Sequence, residues 1–332
     1  MTDRQQLIHI GYHKTASTWL QMQLFDNPDA GFVSPYSAAD IKRLLITRTP
    51  FDFDLPASKA FFASFSQPRD DGLVPVISRE RLSGAMASSG YDSREYANNL
   101  YRLFPGAKIL IVIREQKDML WSSYNQYIKS GCGPLKLRHY LGMFQNPVMT
   151  PKLPVFGLPR FEYHLLIEYY QQLFGATNVL VLPYELFRED PACFVRQIAD
   201  YCSAPLSEEA LAALPFERRA NRAMSALAVE LKRIINRLFL RKFDLNPSVL
   251  LPLNIDHSRL KHRLMRLDER LPRQLKERWA QSSAETIATM VGNRYQQSNG
   301  ITAALTGLDL SRYGYDMPPD WPATAAADRV AA

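Results

Sequence analysis

The chain has 332 residues, 46% hydrophobic and 22% charged, with a formal net charge of +7. That is apolar material enough for one large α/β domain or two smaller ones, and no apolar run approaches the ~18–20 residues that cross a bilayer as a helix. The charge is local: residues 230–280 hold 13 Lys and Arg against 6 Asp and Glu, which leaves the remainder balanced at 27 of each. This excludes a chain that is basic throughout and points to a local anionic partner or a solvated helical face; no nucleic-acid partner is expected.

The opening stretch, MTDRQQLIHIGYHK, lacks a basic region followed by an apolar one, so no secretory signal is expected. Cys132, Cys193 and Cys202 are odd in number and widely spaced. They suit a reducing compartment and make no metal motif, so a cytoplasmic protein is the expectation. In chain order, four apolar runs have strand length: 7–12 (LIHIGY), 74–78 (VPVIS), 107–113 (AKILIVI) and 178–182 (NVLVL). The last two are almost continuous in Ile, Val and Leu, as in strands buried on both faces of a parallel sheet. Helical patterns at 16–27, 93–104, 116–130 and 160–174 separate the strands, and FPGAK and FGATN place Gly at two helix-to-strand turns. The alternation predicts an α/β fold, a P-loop-like three-layer parallel sheet with helices on both faces. From about 189 the patterns are helical only. The first of them, 190–202, opens on Asp190 and Pro191, a good N-cap and first-turn pair. The end of the chain is rich in Pro and Ala. The expected division is an α/β core over 1–215, a helical extension over 216–312 and a loose tail over 313–332.

Between the first strand and the first helix lies GYHKTASTW, residues 11–19. A strand–loop–helix turn of this kind puts unpaired amides at a helix N-terminus, where they and the helix dipole hold an anion. Lys14 adds a point charge, and Thr15, Ser17 and Thr18 add hydroxyl donors. The nucleotide P-loop, G-x-x-x-x-G-K-[ST], is not matched, because Gly11 stands three residues before Lys14 and Ala16 follows the lysine. The alternative is a surface turn with a capping serine.

GYHKTASTWLQ resembles the 5′-phosphosulfate loop of the sulfotransferases that use 3′-phosphoadenosine 5′-phosphosulfate (PAPS), in which a strand leads into Lys-x-Gly-[ST]-[ST]-x-[LV]. The resemblance implies that Lys14 is the catalytic lysine and that Thr15, Ala16, Ser17, Thr18 and Trp19 belong to the loop that wraps the 5′-phosphosulfate. Ala16 departs from the pattern, which has Gly there. A second stretch, ILIVIREQKDMLWSSYNQYIKSG, is similar to the family's 3′-phosphate site: Arg114 at a strand end and Ser122 eight residues later on a helix. Arg114 would meet the phosphate with a planar donor fork. VLVLPYELFREDP resembles the family's strand followed by Tyr-Glu-x-Leu, with Tyr184 and Glu185 supporting the strand end. FERRANRAMSALAVELKRIINRL resembles a segment of bacterial members, which makes Arg218 and Arg219 candidates for closing over the cofactor; solvated charges before a helix are the alternative. The resemblance covers roughly residues 7–240. It implies transfer of a sulfuryl group from PAPS, with 3′-phosphoadenosine 5′-phosphate (PAP) as product and no metal required, to a hydroxyl or amine on a small molecule, a glycan or a lipid-linked acceptor.

Such a transfer needs a base within hydrogen-bond reach of the acceptor. Glu80, in VISRERLSG, falls just past the second predicted strand, on the sheet edge where ligands of open α/β sheets bind. The chain resembles carbohydrate sulfotransferases in placing a glutamate there, and no histidine occurs between 14 and 138. Glu80 is therefore the expected base, with Arg79 and Arg81 beside it either holding anionic groups or ion-paired. Segment 144–162 carries four prolines and reads as a shaped loop or lid; Tyr124, Tyr127, Phe156 and Phe161 could face an acceptor or pack in the core. Two rival readings are a P-loop kinase and a binding module without turnover. The second would lie on anionic lipid through 227–242, where apolar residues alternate with Lys232, Arg233, Arg237 and Arg241 at helical spacing.

Overall fold

The computed structural model describes residues 6–46, 49–65, 72–142, 155–217, 224–239 and 257–322. In chain order its strands and α-helices are β1 (Leu7–Gly11), α1 (Ser17–Trp19), β2 (Phe32–Val33), α2 (Ala38–Leu44), α3 (Leu55–Ala63), β3 (Val74–Ser78), α4 (Ser93–Leu103), β4 (Lys108–Ile113), α5 (Gln116–Lys129), α6 (Leu137–Gly142), α7 (Tyr163–Phe174), β5 (Val179–Pro183), α8 (Tyr184–Glu189), α9 (Pro191–Cys202), α10 (Glu208–Ala212), α11 (Ala226–Phe239), α12 (His257–Arg270), α13 (Arg273–Val291) and α14 (Gln296–Thr306). They fall into two compact units. One takes residues 1–115, 159–220 and 294–332; the other takes 116–158 and 221–293.

The first unit holds a five-stranded parallel sheet in the order β2–β3–β1–β4–β5. The four predicted strands all form; β2, only two residues long, carries no pattern that a sequence could show. Leu7 stands opposite Val76 on one side and Lys108 on the other, so β1 is central and its loop opens between those of β3 and β4. Ile109 to Ile113 are fully buried, as the unbroken apolar run requires. On one face Leu7, Val76, Leu110 and Val112 pack with Trp19 and Leu20 after the first loop and with Phe194 and Ile198 of α9. Each such side chain contributes roughly 1.5–3 kcal/mol on burial. Helix α7 lies against β4, β5, α4 and α14. The Asp190 carboxylate accepts the Cys193 N–H at 2.9 Å, with Pro191 opening α9, as its sequence anticipates. Beyond α14 Leu310 is buried, and so is Tyr315 at the start of the stretch that composition marks as loose; the Tyr315 hydroxyl donates to Glu185 Oε2 at 3.1 Å. Residues 323–332 lie outside the described part.

The second unit is helical. Helix α11 packs on α5, α12 and α13, and α13 also packs on α6. Tyr140 stacks on Phe156 with centroids 4.3 Å apart and lies 4.8 Å from Tyr127, so Tyr124 and Phe156, both buried, belong to an aromatic core and offer no platform to an acceptor. Phe161, in the first unit, is equally buried. The expected basic face of 227–242 is corrected: Lys232 and Arg233 are buried while Ile234 is 42% exposed. The cause is the end of α5 and the turn after it, whose carbonyls need donors. Arg233 serves Pro134 O at 3.2 Å and pairs with Glu230 at 2.6 Å, and Asn236 serves Ile128 O at 2.8 Å. Arg241 lies outside the described residues. Among the described residues no helix is long and apolar enough to cross a membrane.

Candidate active site

All three loops that matter here leave the C-terminal ends of adjacent parallel strands, the edge at which open α/β sheets bind ligands. The loop after β1 turns sharply. Gly11 has φ +101°, and Lys14 and Ala16 sit at +67° and +62°, left-handed conformations uncommon for residues with a Cβ. The Tyr12 N–H donates to Val112 O at 2.8 Å, tying the loop to β4. The Tyr12 carbonyl accepts the Thr15 hydroxyl at 2.5 Å and the Ser17 hydroxyl at 3.3 Å. Both hydroxyls are therefore engaged in holding the turn, with Thr15 fully buried. Among the loop hydroxyls it is Thr18 that stands exposed. The first bond of the helix runs from Leu20 N–H to Ala16 O at 3.0 Å, so the amides of Ser17, Thr18 and Trp19 precede the ladder and have no acceptor within the helix. The Trp19 side chain is core: it is 4% exposed, donates to Pro215 O at 3.1 Å and packs between Phe187 and Phe216.

At the end of β4, Arg114 reaches back to this loop. Its Nη1 donates to Lys14 O at 3.2 Å, and its guanidinium lies 5.0 Å over the Tyr184 ring. Tyr184 and Glu185 support the strand end as expected from their motif: Glu185 Oε1 accepts the Glu115 N–H at 3.1 Å. Burial raises the Glu185 pKa above the usual carboxylate range. Ser122 stands half-buried on α5 in the second unit; its neighbour Ser123 is fully buried and donates to Met119 O at 2.8 Å, which leaves Ser122 the better candidate of the two. Arg218 and Arg219 lie outside the described residues.

After β3 the chain makes a 3-10 turn, Glu80–Ser83. Gly11 lets this turn approach: a Cβ there would come within 3.0 Å of the Glu80 Cα. Glu80 Oε2 accepts from Gln21 Nε2 at 3.3 Å, and the same amide serves Ser78 O at 3.2 Å, so Gln21 bridges the helix after the first loop to the β3 end. Glu80 thus stands directly beside the Lys14 loop. Arg81 is ion-paired with Asp92 and lies 5.1 Å over Tyr96, which fits the structural alternative for that residue. His13 Nδ1 is enclosed and has no hydrogen-bond partner among the described residues. Burial, reinforced by Arg160, Arg81 and Lys14, pushes its pKa down to about 3, so the imidazole is neutral. Among the described residues no three His, Cys, Asp or Glu side chains gather as a metal ligand set.

Sequence reasoning missed Gln21, Tyr12 and Arg160. Gln21 was accessible, being one helical turn beyond Ser17. Arg160 sits in an irregular proline-rich stretch with no periodicity to single it out.

Arg114 thus meets the loop after β1 on the C-terminal rim of a parallel sheet. The model of the sulfotransferase domain family matches residues 4–232, and the chain belongs to that family of transferase enzymes. Among solved structures, it is similar to a sulfotransferase from Alicyclobacillus acidocaldarius (21% identity, 69% of this chain and 90% of that one, TM-score 0.46) and to the mouse sulfotransferase SULT7A1 complexed with PAP (13% identity, 92% and 89%, TM-score 0.37). It is also similar to the sulfotransferase domain from the curacin biosynthetic pathway (11% identity, 62% and 76%, TM-score 0.39). A search of curated proteins returns no match.

Proposed function

We propose that this enzyme transfers a sulfuryl group from PAPS to a hydroxyl or amine of a small-molecule, glycan or lipid-linked acceptor. The observation that carries the reading is the hydrogen bond from Arg114 to the Lys14 carbonyl, which makes two anion-seeking elements neighbours on one rim. The residues fit a donor with charge at both ends. The amides of Ser17, Thr18 and Trp19 and the Lys14 ammonium would hold the phosphosulfate end, and the Arg114 fork would hold the 3′-phosphate. Ser122, eight residues after Arg114, keeps the role that the family resemblance implies. PAPS supplies the activated sulfuryl group. Lys14 and the loop amides would favour the charge that builds on the departing bridging oxygen, as preorganised donors do. Glu80 takes the acceptor proton.

The test is a transfer screen with radiolabelled PAPS over a panel of methyl glycosides, phenols and amines, alongside thermal shift. PAP without metal should stabilise the protein more than ATP with magnesium; the reverse order would favour a kinase. Labelled product from no member of the panel, together with no stabilisation by PAP, would sink the reading.

A further inference from the structure

We infer that Arg160 is a positioning residue that holds the Glu80 turn at the rim; the inference rests on Glu80 acting as the base. Arg160 lies in the short 3-10 turn Leu158–Phe161 before α7, and its guanidinium makes three bonds to the far end of the Glu80 turn. Nη1 donates to Ser83 O at 3.1 Å, and Nη2 donates to Gly84 O at 3.0 Å and to Ser83 Oγ at 3.2 Å. The Ser83 hydroxyl in turn donates a hydrogen bond to Glu80 O at 2.8 Å. A continuous path of hydrogen bonds thus runs from the guanidinium to the backbone of the base.

The surroundings are shaped for this group. A Cβ on Gly90 would lie 1.7 Å from Arg160 Nη1, and one on Gly84 would lie 3.1 Å from it, so the two glycines leave the slot that the guanidinium fills. Its face lies 5.2 Å over the Tyr12 ring, in the loop that carries Lys14. Tyr163, three residues on, meets Tyr12 edge-on at 4.9 Å and donates to Arg114 O at 2.6 Å. One short stretch, 160–163, therefore touches all three loops: the turn after β3, the loop after β1 and the end of β4.

Burying a cation on neutral acceptors is costly, and among the described residues no carboxylate bonds to it directly. A planar fork with fixed donor directions can hold two carbonyls and a hydroxyl in one geometry, which an ammonium cannot. Misplacing a reacting group by about 1 Å is enough to lose roughly 10²-fold in rate.

The experiment compares wild type, Arg160→Gln, Arg160→Lys, Gly90→Ala, Glu80→Gln and the double variant Glu80→Gln/Arg160→Gln. It uses a substrate found in the glycoside, phenol and amine panel, and PAP for thermal shift. Arg160→Gln should lower kcat about 10²-fold, with KM for PAPS and stabilisation by PAP unchanged; Arg160→Lys should recover part of the loss. Gly90→Ala should reproduce it without altering any charge. The double variant should be no slower than Glu80→Gln, because both act through one carboxylate. Hydrogen exchange, which needs no substrate, should rise over residues 80–84 in Arg160→Gln and stay unchanged over β1. Unchanged exchange at 80–84, or an equal loss of rate in the Glu80→Gln background, would overturn the inference. A Glu80→Gln variant at full rate would overturn the base assignment instead, and the exchange data would still report on the brace.

Discussion

Arg114 and Lys14 are a hundred residues apart in sequence and are joined by one hydrogen bond, from a guanidinium to a main-chain carbonyl, at 3.2 Å. Parallel pairing of β1 with β4 brings the two within reach, because the strands end side by side and pointing the same way. The arrangement assigns different work to the two side chains. Arg114 ties down the loop, and in the proposed function it would also present a fork to the 3′-phosphate. Replacing it with Ala should lower PAP affinity by about 10–100-fold, the range for hydrogen bonds to a charged group. Arg114→Lys should restore less than half of that loss, since an ammonium cannot bond bidentately. The measurement is PAP titration by calorimetry; unchanged affinity in Arg114→Ala would remove the residue from the site.

Lys14 and Glu80 should separate kinetically. Lys14→Ala should abolish transfer, because the positive charge that meets the departing oxygen is gone. Glu80→Ala should keep PAP affinity and lose rate, by ~10²-fold or more, as general bases do. Both follow from the position of Glu80 against Gly11, beside the Lys14 loop rather than inside it. A Glu80→Ala variant with raised KM for PAPS and normal kcat would place the carboxylate in donor binding.

The departure of Ala16 from the family's loop pattern has a physical consequence. Its φ of +62° is one that glycine adopts without cost and alanine does not, at about 1–2 kcal/mol. Glycine also loses more chain entropy on folding, by roughly 0.4–1 kcal/mol. Ala16→Gly should therefore leave the protein slightly more stable, by about 0.5 kcal/mol, read from the denaturant midpoint at constant m-value. A clear loss of stability would mean that the Ala16 methyl group contributes packing that outweighs the strain.

The strands, the turn after β1 and the places of Arg114 and Glu80 at strand ends were legible in the sequence because each is local: an apolar run, a turn after it, a charge at the strand end. What was illegible is set by tertiary geometry. Thr15 and Ser17 read as donors toward a ligand, yet the tight turn exposes the Tyr12 carbonyl and both hydroxyls answer it. Trp19 read as part of the loop, but the chain has already become a helix there and the ring drops into the core. The burial of Arg233 in α11 follows from a carbonyl beyond the end of another helix, which no periodicity within 226–239 could reveal.

Trp19 gives a sharp contrast between a fold role and a binding role. Trp19→Phe keeps the stacking with Phe187 and Phe216 and loses the bond to Pro215 O. It should cost about 1 kcal/mol in stability, while Trp19→Ala should cost roughly 3–5 kcal/mol. PAP affinity of the Phe variant should match wild type, since the Trp19 amide is retained. A Phe variant with intact stability and weakened PAP binding would return the indole to the site.

Two buried imidazoles should make the protein acid-sensitive. His9 is fully buried in β1 with Nδ1 bonded to Ser78 Oγ at 2.7 Å, and burial pushes its pKa down to about 3. His13 is held at about 3 by burial and the cations around it. Both fall below the value of ~6.5 that an unfolded chain would show, so the unfolded state binds more protons. The stability they contribute is present above that value and is lost as the pH falls from about 6.5 toward 3, by about 1.4 kcal/mol per pH unit for each group. Denaturant unfolding at several pH values should show this slope. His9→Gln and His13→Asn should each flatten it by one proton; a slope unchanged in both would mean that the imidazoles are protonated in the folded protein.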